Sequence, residues 1–174
     1  KSLKEQTYKN WELCLADGSE KKENFIDDII KNDDRIKYKF LGVNKGISGN
    51  SNEAIKMATG DYYALLDHDD IIPVFSLYEI VNEDKEAEFF YTDEDKILDK
   101  KNIRIGPHFK PDFAPDTLRS YNYICHFSIF KKSLIEKLKG FDSKFDGSQD
   151  YDLILRATET ANRIVHIPKI LYHW

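Results

Sequence analysis

The sequence predicts an α/β domain built on a largely parallel sheet, and three observations carry that prediction. Apolar runs of strand length alternate with segments whose apolar residues recur at helical spacing. Several of the runs end in carboxylates, and in an open α/β sheet the carboxyl ends of the strands are where ligands bind. The chain has 174 residues, 41% hydrophobic and 13% aromatic, which suits a single domain spanning residues 1–174. A domain of that size buries roughly two-thirds of its unfolded surface.

Residues Lys1–Tyr8 read as the tail of a helix, so the first strand of the fold is expected to lie outside this sequence. Trp11–Ala16 reads as a buried strand ending at the turn Asp17-Gly18-Ser19. Phe25, Ile26, Ile29 and Ile30 fall at helical spacing, and Ile36, Tyr38 and Phe40 alternate with lysines, as in a strand with one wet face. Asn44–Ser51 reads as a loop feeding a helix with Ala54, Ile55, Met57 and Ala58, which Gly60 stops. Tyr62–Leu66 is predicted as a buried parallel strand running into Asp67-His68-Asp69-Asp70, and Pro73 as the opening of a helix.

Glu88–Thr92 is predicted as a further strand ending in Asp93, Glu94 and Asp95. The prolines at 107, 111 and 115 suggest that Asp99–Tyr121 is one long irregular connection. Ile124–Phe130 reads as a strand, Ser133–Leu138 as a helix, and Gly147–Asp152 as the start of a last helix. The segments 164–168 and 170–174 close the chain.

A net charge of −5, with acids and bases interspersed, argues against a nucleic-acid partner. No apolar run reaches the length of a membrane span. Cys14 and Cys125 sit in apolar contexts and are expected to be free thiols, in keeping with a cytoplasmic setting. Asp67 and Asp69, two apart where the chain leaves a strand, can turn toward one hard cation such as Mg2+ or Mn2+. Asp70 fits a helix-capping role better. The Asn44–Asn50 segment has neither the Walker spacing nor the dinucleotide glycine fingerprint.

Several ordered motifs resemble the inverting glycosyltransferases of family 2, which have the GT-A fold. They are Gln6–Leu13 (QTYKNWEL), Asp17-Gly18-Ser19, Asn44-Lys45-Gly46, Gly60-Asp61-Tyr62, Leu66–Asp70 (LDHDD), Tyr91–Lys96 (YTDEDK), Gly147–Leu153 (GSQDYDL) and Tyr172-His173-Trp174. The resemblance runs from about Ser2 to Trp174 and implies a three-layer α/β/α sandwich with a mixed, mostly parallel sheet. It also implies metal-dependent transfer of a sugar, with inversion, from a nucleotide-sugar to a hydroxyl of a glycan or lipid-linked glycan. UDP is the expected nucleotide, and the expected setting is the cytoplasm or the inner face of the membrane.

Through the same resemblance, Asp67 and Asp69 match the family's Asp-x-Asp, which holds Mn2+ or Mg2+ and the ribose side of the donor. Asp17 matches the acid that contacts the nucleobase, and Ala16 stands where many relatives have a second acid. Asp150 matches the catalytic base, with Gln149 where a Glu is common. His173 matches a late histidine that completes the metal's ligands. Lys45 is placed to approach the diphosphate, and Asp93, Glu94 and Gln149 to bind sugar hydroxyls. Asp152 reads as a helix N-terminal acid, and His108, His126 and His166 show no partner in the sequence. Two other readings stay open on the residues alone. One is a haloacid-dehalogenase-type phosphatase using Asp67-His68-Asp69, and the other is an inactive or merely nucleotide-sugar-binding fragment.

Overall fold

The computed structural model describes residues 1–98 and 103–174. The strands are β1 (Leu13–Asp17), β2 (Ile36–Phe40), β3 (Tyr62–Ala64), β4 (Phe89–Leu98), β5 (Ile103–His108), β6 (Ser128–Lys131) and β7 (Ile164–His173). The helices are α1 (Phe25–Ile30), α2 (Gly46–Met57), α3 (Ser76–Val81), α4 (Pro115–Ser120), α5 (Lys132–Leu138) and α6 (Gln149–Thr160), with a 3-10 turn at Ser143–Phe145 before α6.

The sheet is mixed and in two parts. β1 and β2 form a parallel pair. The larger part is organised around β4, which pairs in parallel with β7 along one edge. Its other edge carries β6 against Phe89–Tyr91 and β5 against Glu94–Leu98, both antiparallel, and β3 lies antiparallel outside β6. Alternation along β4 and β6 splits the core into the two faces that a three-layer sandwich requires. Phe89, Tyr91 and Phe130 pack with Leu134, Ile135, Leu153, Ile154 and Ala157 under α5 and α6. Phe90 and Ile129 pack on the opposite face with Ile80, Ile167, Leu171 and Tyr172, under α3. Phe89 and Phe130, a cross-strand pair, stack with ring centroids 4.6 Å apart.

Several elements depart from the sequence reading, each for a physical reason. Residues 1–8 form turns instead of a helix tail. They are fastened by the fully buried Gln6, whose Nε2 donates to the Pro73 carbonyl (2.7 Å) and whose Oε1 accepts from the Leu77 amide (3.0 Å). That Oε1 caps α3, which begins at Ser76 and not at Pro73. The glycine-rich segment after Asn44 is the first turn and a half of α2, not a loop. Asn44 Oδ1 accepts from the Gly46 amide (3.0 Å), and Asp146 Oδ1 accepts from the Ser48 amide (3.2 Å), so a carboxylate 98 positions away satisfies the helix start.

β4 does not stop at Thr92. It runs on through Asp93, Glu94 and Asp95, all buried. Of the predicted irregular connection, residues 99–102 lie outside the described residues, and the remainder contains β5 and α4. The closing segments form one strand, β7, whose register against β4 shifts between Thr92 and Glu94. β3 is shorter and more exposed than predicted. Among the described residues, both β1 and β3 pair along one edge only, and Leu13, Tyr62 and Ala64 border a cavity of about 610 Å³ floored by Leu66, Ile72, Ile80, Phe127 and Ile129.

Glu12 ties the two parts of the sheet together. It accepts from the amides of Thr59 and Gly60 (2.9 Å for Gly60), just before β3, and pairs with Lys37 of β2. Partial burial alone would raise its pKa, but these donors outweigh it and hold the carboxyl at about 2.

Candidate active site

The chain leaves β3 through Leu65 and Leu66 into a turn in which the Asp70 amide donates to the Asp67 carbonyl (3.3 Å). A turn of that span places residues three apart on one side. Accordingly Asp67 and Asp70, not Asp67 and Asp69, converge. With His126, from the turn before β6, they are the one group of three or more His, Cys, Asp or Glu among the described residues whose ligand atoms lie mutually within 4.8 Å. The expected partner Asp69 has a side chain 76% exposed, 3.8 Å from His68, which itself points into solvent.

Tyr172 of β7 organises the group. Its hydroxyl donates to Asp70 Oδ2 (2.6 Å) and accepts from the Asp67 amide (3.2 Å). Its ring stacks on that of His126, with centroids 4.7 Å apart and planes 13° from parallel. His126 Nε2 lies 3.7 Å from Asp67 Oδ2, while its Nδ1 is buried with no hydrogen-bond partner among the described residues. Burial pushes the Asp70 carboxyl above its ordinary pKa, opposed by the Tyr172 hydroxyl, and the neighbouring Asp67 charge adds to the push. Two carboxylates and an imidazole so placed carry uncompensated negative charge, and they fit a hard divalent cation such as Mn2+ or Mg2+.

Asp150 stands in the first turn of α6, within the electrostatic reach of His126 and Asp67. Burial raises its pKa; the imidazole and a hydrogen bond from Gln149 Nε2 (2.9 Å) pull it back. The nearly buried Gln149 also accepts from the Gly147 amide (2.8 Å), so it orients Asp150 and is not free for a sugar. Asp152 is structural: it pairs with Arg156, which donates to the carbonyls of Leu138 and Gly140.

The other expected site residues are placed as follows. Asp17, at the carboxyl end of β1, has one oxygen on the Ser19 amide (2.9 Å) and the other on the Tyr38 hydroxyl (2.6 Å). Lys45 precedes α2 with Nζ 3.0 Å from Glu53, which also binds Lys39 and Lys56. His173 is not in the metal-like group. Its Nδ1 is on Asp95, and its Nε2 is 3.4 Å from Arg104.

Asp93 and Glu94 are buried and engaged, so they are not open to sugar hydroxyls: Asp93 accepts from the Lys110 amide and faces His166, and Glu94 faces Lys110 and His108. His126, missed in the sequence, had one signal there. It is the one imidazole inside the largely apolar run Tyr123–Phe127, a position that burial penalises unless a partner exists.

Residues 1–139 match the family described as Glycosyl transferase family 2. The O-antigen biosynthesis protein RfbC of Myxococcus xanthus is 31% identical over 178 residues, covering 99% of this chain and 14% of that protein. Solved structures share the fold. S. aureus TarS in complex with UDP has a TM-score of 0.79 at 18% identity, covering 99% of this chain and 54% of TarS. The mannosyltransferase PcManGT of Pyrobaculum calidifontis, with GDP-Man and Mn2+, has a TM-score of 0.68 at 15% identity, covering 99% of this chain and 50% of PcManGT. The chain spans a fifth or less of the length of the first curated relatives it matches. No helix of the described residues is long and apolar enough to cross a membrane. The family match sets aside the phosphatase reading of Asp67-His68-Asp69: the three-layer chain described here belongs to glycosyl transferase family 2.

Proposed function

We propose that this chain transfers a sugar, with inversion and with a divalent metal ion, from a UDP-sugar to a hydroxyl of a glycan or lipid-linked glycan in cell-surface polysaccharide synthesis. The observation that carries the reading is the convergence of Asp67, Asp70 and His126 within electrostatic reach of the half-buried Asp150. The UDP bound by TarS and the Mn2+ in PcManGT, two proteins of the same fold, support the choice of donor and ion.

In this mechanism Asp67, Asp70 and His126 hold the cation, and the exposed Asp69 is left for the ribose hydroxyls. Asp17 takes the nucleobase end of the donor, and Lys45 moves from Glu53 toward the diphosphate. The bound ion supplies positive charge against the charge growing on the leaving diphosphate. Asp150 orients the acceptor hydroxyl on the face of the sugar opposite the diphosphate. As the acceptor oxygen bonds to the anomeric carbon, the bond from that carbon to the β-phosphate oxygen breaks, UDP departs, and the hydroxyl proton passes to Asp150. Its raised pKa makes this carboxylate a better proton acceptor than an ordinary one. The acceptor is reached from the cytoplasmic side, at the inner face of the membrane.

The test combines binding and turnover. UDP with Mn2+ is expected to raise the melting temperature more than either alone, since a ligand bound only by the native state stabilises it. Asp150→Asn is expected to keep that stabilisation and lose about 10²–10⁴-fold in turnover. No stabilisation by UDP and Mn2+ would favour the inactive-fragment reading, and undiminished turnover of Asp150→Asn would remove it as the base.

A further inference from the structure

The His126 ring is held against Tyr172 and Asp67, yet His126 lies outside any helix or strand. What fixes it is a buried ion pair. Lys110 Nζ, its side chain fully buried, donates to Glu94 Oε2 (3.1 Å), to the Ile124 carbonyl (2.5 Å) and to the His126 carbonyl, which uses all three ammonium hydrogens. Glu94 Oε2 also accepts from the His126 amide (3.1 Å). Both backbone polar groups of His126 therefore end on one charge pair. The residue before it, Cys125, has φ 40°, a conformation that L side chains rarely adopt. The pair is anchored in turn, since the Lys110 amide donates to Asp93 Oδ1 (2.9 Å) and Glu94 lies within β4, opposite His108 of β5.

A buried ion pair rarely stabilises a fold more than apolar side chains of the same volume would. Two long charged side chains under a turn are thus poorly explained by stability, and their contacts converge on the one residue of that turn that faces Asp67. We propose that Glu94 and Lys110 are positioning residues that fix the angle and height of the His126 imidazole over Tyr172 and beside Asp67, and so set its contribution to the divalent-ion site. The link to the ion rests on the proposed donor site; the placement of the ring does not.

The experiment reads the two separately. The His126 ring protons, assigned by comparison with His126→Gln, are expected to be shifted upfield by the Tyr172 ring beneath them. In Lys110→Met, of similar length but uncharged, they should move toward their unstacked positions while near-ultraviolet circular dichroism stays native. Binding of Mn2+ alone, followed by electron paramagnetic resonance, should weaken by about ten- to a hundredfold, the range for residues that orient a ligand without touching the metal. A purely structural role would lower the unfolding midpoint without moving the ring resonances of the folded molecule.

Folded Lys110→Met with wild-type His126 resonances overturns the proposal, whatever happens to Mn2+. If Lys110→Met does not fold, Glu94→Gln, which keeps the shape and removes the charge, decides the matter by the same resonances. Wild-type Mn2+ affinity in His126→Ala would instead overturn the role of His126 in the donor site.

Discussion

Replacing Tyr172 by Phe removes one hydroxyl and keeps the ring that stacks on His126. The hydroxyl donates to Asp70 at 2.6 Å and accepts from the Asp67 amide at 3.2 Å. A hydrogen bond to a charged group is worth about 1.5–3 kcal/mol and a neutral one about 0.5–1.5 kcal/mol. Both aspartates are partly solvated, and water takes over some of the lost bonding, so the expected destabilisation is about 2 kcal/mol. For a domain of this size that lowers the melting temperature by roughly 4–8 °C.

The same substitution removes the group that opposes the upward push of burial on Asp70 and frees its carboxylate to rotate. Mn2+ affinity should therefore fall about tenfold. Urea denaturation and calorimetric titration with Mn2+ measure the two effects. An unchanged unfolding midpoint would refute the bridging hydroxyl, and a lower midpoint with unchanged Mn2+ affinity would refute Asp70 as a ligand.

Three further outcomes are expected. Asp70→Asn should weaken Mn2+ binding by about tenfold or more, and Asp69→Asn by less than about twofold; equilibrium dialysis reads both, and the reverse order would restore Asp69 to the ion. Asp150→Asn should melt at the wild-type temperature or above at pH 7, because burial that raises a carboxyl's pKa makes its ionised form a burden on the fold; a clear drop in calorimetric melting temperature would contradict this. Glu12, ordinarily near 4.5 and held at about 2, contributes stability that is complete above pH 4.5 and is lost as the pH falls toward 2. Unfolding midpoints at pH 6 and pH 3 should differ less in Glu12→Gln than in the wild type, and equal differences would refute the role of Glu12.

What the sequence revealed was whatever lay in local periodicity. The helical spacing of Phe25, Ile26, Ile29 and Ile30 coincides with α1, although no residue of that helix is buried, and the alternation of Ile36, Tyr38 and Phe40 coincides with β2, in which Ile36 alone is buried. Asp150 at a helix start was also readable there, whereas the α/β/α layering was implied by the resemblance to family 2. Asp93, Glu94 and Asp95 were misplaced because a run of acids after an apolar strand resembles a turn. Inside the sheet their charges are met by Lys110, His166 and His173, 16, 73 and 78 positions away. The first turns of α2 were hidden for the same reason, since its glycine-rich start is stabilised by Asp146. The approach of Asp70, and not Asp69, to Asp67 depends on the geometry of one turn, and that of His126 on a fold contact 59 residues from Asp67; neither leaves a periodic trace.

The unshared edges of β1 and β3 carry a consequence of their own. Rows of amides and carbonyls flanking an oily trough are a template for any extended polypeptide, whose backbone could hydrogen-bond to either side while its side chains fill the gap.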